Sequence, residues 1–105
     1  MIKNSNGMNT ERTPDFLMAN LGAEVSRIFS AKEKSDTVLT QNAKKRAQAI
    51  IFQIIQYPEM RSRTPEIEML SSVISDISSF TPKLRISRKN LSSYFYPFVE
   101  KVMQS

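Results

Sequence analysis

The sequence predicts an all-α protein, an antiparallel up-and-down four-helix bundle, on three observations. Apolar residues recur at three- and four-residue spacing through four stretches of the chain. Each stretch is headed by residues that cap helices, Thr-Pro twice and Ser or Asp otherwise. The intervals between the stretches are short enough that consecutive helices must reverse direction. At 105 residues the chain supports one compact core. That core is assigned to residues 13–105, behind a polar, unpatterned segment, 1–12, expected to be a flexible tail.

The first helix starts at Thr13-Pro14-Asp15. A threonine oxygen can accept from an orphan N–H, Pro14 has no N–H to satisfy, and Asp15 suits the positive end of the helix dipole. Leu17, Leu21, Val25 and Ile28 then repeat at helical spacing, widened by Met18 and Phe29, which carries the helix to about Lys34. Gly22 sits at the edge of this stripe, where a missing side chain would let another helix come close or where a glycine is simply tolerated at a cost of up to about 1 kcal/mol.

Ser35-Asp36 supplies the next cap, and the second helix is expected from Thr37 to Tyr57. Leu39, Ala43, Ala47, Ile50 and Ile54 share one face, but Ile51, Phe52 and Ile55 extend the apolar surface far around the cylinder. Such a helix needs cover on more than one side. That cover comes from two neighbours in the same chain, as for a central helix in a monomeric bundle, or from a second subunit, for which Ile51, Phe52 and Ile55 are the expected partner interface.

Pro58 stops that helix, and a polar connector leads to a second Thr-Pro start at Thr64-Pro65. Ile67, Leu70, Val73, Ile74, Ile77 and Phe80 form the clearest stripe in the chain, opposite a face of serines expected to be solvated. Thr81-Pro82 opens a basic connector that runs to a cap at Ser87, and its alternation could form a short extended segment. In the last helix Leu91, Phe95, Phe98 and Val102 share a face, with Tyr94 and Val99 at its edges. The stripe keeps its phase across Pro97, which predicts a proline-kinked helix rather than a loop. Of the rings in Tyr94-Phe95-Tyr96-Pro97-Phe98, only Tyr96 points away from the core.

Composition excludes much chemistry. There is no cysteine and no histidine, which removes disulfides, the usual zinc ligands and every Ser-His or Cys-His arrangement. Only two glycines occur, Gly7 and Gly22, so no glycine-rich phosphate loop exists. Leu21-Gly22 ahead of a helical hairpin and Pro58 has an echo of a tetratricopeptide unit. The proline falls 36 residues after the glycine, well outside that motif, and no second copy follows.

The sequence is thus read as a non-catalytic helical protein-interaction module, not an enzyme, with homo-oligomers or another protein as the partner. The alternative is a small basic nucleic-acid-binding protein. The net charge is +5, and residues 81–89 carry Lys83, Arg85, Arg88 and Lys89 without an acid; Tyr96 would add a stacking ring. No cofactor, metal or membrane partner is expected. The first twelve residues lack the apolar run of a secretory signal, and the expected location is cytoplasmic.

Overall fold

Thr13 opens the first helix as its cap, its Oγ1 accepting from the Phe16 N–H at 3.2 Å. From there the computed structural model describes residues 13–104; the tail expected at 1–12 lies outside them. The described chain is all-helical. It forms α1 (Pro14–Glu33), α2 (Thr37–Ile54), a 3₁₀ segment (Pro58–Arg63), α3 (Thr64–Ile77) and α4 (Arg88–Met103). No helix among the described residues is long and apolar enough to cross a membrane.

α1 ends in a left-handed turn. Ser35 has φ 56°, its N–H bonds the Lys32 carbonyl at 3.0 Å, and the Asp36 N–H bonds Ala31 at 2.9 Å. This pair of bonds satisfies the last carbonyls of α1. Asp36 then caps α2, accepting from the Leu39 N–H at 2.9 Å.

Three local details differ from the sequence expectation. α2 stops at Ile54 rather than Tyr57, because the residue before a proline is pushed out of the helical region and Tyr57 is extended. The polar connector that follows is a 3₁₀ turn with Met60 buried beneath it. Thr64 is the first residue of α3 rather than its cap, and its Oγ1 donates to the Arg61 carbonyl at 2.8 Å.

α3 closes early as well. The Ser78 hydroxyl donates to the Ile74 carbonyl at 2.6 Å and that of Ser79 to Asp76 at 2.7 Å. Side chains thereby occupy carbonyls in the last turn. Phe80 falls beyond the helix and is 89% exposed instead of completing the stripe. The connector to α4 is bent, not extended: the Asp76 carboxylate accepts from the N–H groups of Lys83 and Leu84 at 2.8 and 3.1 Å, and Arg85 is left-handed with φ 55°. Ser87 caps α4 by accepting from the Asn90 N–H at 3.1 Å, and the helix continues through Pro97 to Met103.

α1 packs along α2 and α4, and α3 packs on α2. Ala43 and Ala47, both buried, bring α2 close to α1. On the other flank Gly22 meets α4. A Cβ placed there would lie 2.8 Å from Phe95 Cβ, well inside ordinary carbon contact. Met18, Leu21, Ile28, Ile54, Ile67 and Ile74 are the large side chains removed from water altogether. Leu91 and Phe95 seal the same core from α4.

Candidate functional site

The aromatic run on α4 divides as its helical phase requires. Phe95 is 3% exposed and Tyr96 is 61% exposed. Tyr94 and Phe98 lie between, packed on the core. The Tyr94 ring meets Phe95 edge-on, with centroids 5.0 Å apart at 85°, and tilts over Phe98 at 6.0 Å.

Arg63 and Glu66 join this cluster from the start of α3. The guanidinium forks onto the carboxylate, Nε to Oε1 at 3.1 Å and Nη2 to Oε2 at 2.7 Å, while its carbon lies 5.5 Å from the centre of the Phe98 ring. The Tyr94 hydroxyl donates to the same carboxylate. The fork to Arg63 holds Glu66 below its ordinary range against the opposing effect of burial, and the Tyr94 bond adds to the lowering. Burial first, and the neighbouring carboxylate second, push the Tyr94 phenol upward. Glu66 in turn raises Arg63. Each group is held in the protonation state it already has at neutral pH. The cluster therefore ties α3 to α4.

Other acids are engaged singly. Glu24, buried on α1, accepts from Arg27 and from Arg46 of α2, each at 2.9 Å. Asp15 pairs with Lys101 at 3.3 Å. Among the described residues no three acids gather as a cation site. The serine face is partly used in packing: Ser71 donates to Gln48 Oε1 at 2.9 Å, and Gln48 reaches the Ser71 carbonyl and Ser75 at 3.3 Å.

The three expected interface residues separate. Ile51 turns into the core at 7% exposure, so it leaves that set, whereas Phe52 is 64% and Ile55 44% exposed. Phe52 lies on the outer face of the last turn of α2, and Ile55 caps its end three residues on. Beside them Leu17, Gln53, Gln56 and Tyr57 line an apolar cleft of about 290 Å³. No periodicity reveals that cleft, because it forms between α1 and the end of α2.

The basic connector also divides. Arg88 turns toward α1, where its guanidinium meets the Ser26 carbonyl and hydroxyl at 3.2 and 3.0 Å, Ser30 Oγ at 2.7 Å and Glu33 at 3.2 Å. It is spent on helix packing. Lys83, Arg85 and Lys89 remain exposed. Tyr96 lies seven residues along α4 from Lys89, roughly 10 Å away.

An apolar groove of about 360 Å³ runs between α3 and α4, lined by Met69, Leu70, Val73, Ile86 and Leu91 with Glu66, Asn90 and Tyr94 on its rim. Two of its three polar groups satisfy each other.

No family model, no curated protein and no solved structure matches the chain.

Proposed function

We propose that this chain is a non-catalytic helical interaction module that associates with a second copy of itself through the outer end of α2. The observation that carries this reading is the pair Phe52 and Ile55, exposed beside an apolar cleft. Contiguous exposed apolar surface rimmed by polar residues marks interaction sites, and this pair adjoins further apolar surface in the cleft. In a two-fold arrangement Phe52 of one copy fills the Leu17–Tyr57 cleft of the other, and the contact repeats by symmetry.

The proposed scaffold is an antiparallel up-and-down bundle with α4 kinked at Pro97. The antiparallel order is supported by contacts that run in opposite sense along α1 and α2 and along α1 and α4. Glu24 bonds Arg46, while nearer the turn Ala31 lines a cleft with Leu39. Gly22 faces Phe95, with Asp15 on Lys101 toward one end and Ser30 on Arg88 toward the other. The kink is supported by the chemistry of proline, which removes one helical bond and crowds the Ser93 carbonyl.

Sedimentation over a concentration series tests the proposal. Wild type should shift from monomer to dimer, and Phe52→Glu should remain a folded monomer, because a carboxylate on that surface is solvated only without the partner. An exposed control at another site, Leu84→Glu, should still dimerise. A wild type that stays monomeric at high concentration overturns the reading; so does a Phe52→Glu protein that unfolds, which would place the ring in the fold.

A further inference from the structure

A different end of the molecule carries the second surface. The α1–α2 turn and the α3–α4 connector lie side by side, joined by the Lys32 ammonium donating to the Ser79 carbonyl and by Arg88 reaching Ser30 and Glu33. Ser35, Asp36 and Phe80 line one small cavity between them. Both loops carry a left-handed residue, Ser35 and Arg85. Such backbone persists where the surroundings hold it; here the bonds to Lys32 and Asp76 do so, and the loops present a built surface.

That surface is apolar at its tips and cationic around them. Phe80 is the most exposed large apolar side chain among those described, and Leu84 on the same connector is exposed too; Val38 and Leu39 are exposed in the first turn of α2. Lys83 and Arg85 flank Leu84 along the connector, Lys89 lies in the first turn of α4 and Lys34 follows α1, all exposed and none in an ion pair among the described residues. The acids at this end are already engaged. Glu33 pairs with Arg88, Asp36 caps α2, and Asp76 accepts from two backbone N–H groups.

We propose that this end of the protein docks on an anionic lipid surface, with Phe80 and Leu84 entering the headgroup–acyl boundary and Lys83, Arg85, Lys89 and Lys34 held at the phosphates. Stable surface binding takes two signals, apolar insertion and electrostatic attraction, and both are present in one loop pair. The lack of a spanning helix among the described residues does not bear on this reading, since a surface-bound protein needs none. A nucleic acid fits the same cations less well. It gains stacking from one ring at most, whereas Leu84 and Val38 have no role in binding a base. The site is separate from the proposed dimer surface, since Phe52 lies fifteen residues, roughly 22 Å, along α2 from Thr37.

Co-sedimentation of the full chain with vesicles tests the proposal, using phosphatidylcholine alone and phosphatidylcholine mixed equally with phosphatidylserine. Binding is expected only to the mixed vesicles and should weaken as salt rises. Replacing Lys83, Arg85 and Lys89 together by Ala should reduce it roughly a hundredfold, at about fivefold for each cation. Phe80→Ser should reduce it about tenfold. Since Phe80 touches little of the core, that variant should melt with wild type; Leu84→Ser provides a second apolar variant. The proposal is overturned if wild type ignores the mixed vesicles, binds both kinds equally, or binds as well after both apolar substitutions. Tighter binding to single-stranded oligonucleotide than to the mixed vesicles, lost with the same three cations, also overturns it and assigns the patch to nucleic acid.

Discussion

Replacing Gly22 by alanine sets two effects of opposite sign against each other. In an open helix interior the substitution stabilises by about 1 kcal/mol, because glycine has more backbone freedom to lose. Here the added Cβ would stand 2.8 Å from Phe95 Cβ and 2.9 Å from its Cγ. Carbon atoms rest about 3.5–4.0 Å apart, so α4 would have to retreat by roughly 0.7 Å or more at this point. The obstructing atoms are not the free end of a flexible chain, since Cβ is fixed to the α4 backbone and the ring is buried. Overpacking of this kind costs about 1–3 kcal/mol, and attachment to backbone places it in the upper part of that range. The net expectation is a loss of about 1–2 kcal/mol, which for a domain of this size lowers Tm by roughly 5–15 °C. Thermal melting followed by circular dichroism measures it. An alanine variant that melts above wild type would mean that the propensity gain is unopposed, and would refute the close approach of α1 and α4.

Two further outcomes are expected. Phe95→Ala should destabilise by about 3–5 kcal/mol through lost burial and a cavity, whereas Tyr96→Ala should stay within about 0.5 kcal/mol, so urea midpoints for the pair measure the division of the aromatic run. Stability should also depend on Glu66 at low pH. Its folded carboxylate titrates below the ordinary value of 4.5, so its contribution is complete above that value and is lost as pH falls through the folded pKa. Melting of wild type and Glu66→Gln across acid pH should converge as the wild-type carboxylate protonates; parallel curves would remove Glu66 as a contributor.

The positions and inward faces of the helices were legible in the sequence because their causes are local. A cap bonds an N–H three residues away, as Thr13, Asp36 and Ser87 do, and an apolar stripe is a matter of angle along one cylinder. The same local geometry separates Phe95 from Tyr96 and puts Gly22 at the edge of a stripe, though it could not say whether a helix meets it there or which one. Tertiary structure decided what the charges do. Glu24 finds Arg46 across 22 residues of chain, Glu66 finds Tyr94 across 28, and Arg88 reaches Ser26 across 62. Such partners have no spacing rule, because an ion pair requires only that two surfaces meet, and which surfaces meet is set by packing. Packing also settled three apolar residues that periodicity misplaced, Leu39 among them, which shares the predicted inward face of α2 and is 49% exposed. Ile51 sits between the core and outer directions of α2, and the neighbouring helices covered it. Phe80 lost its place when serine hydroxyls took up carbonyls at the end of α3, which left the most apolar part of the connector in water beside its cations.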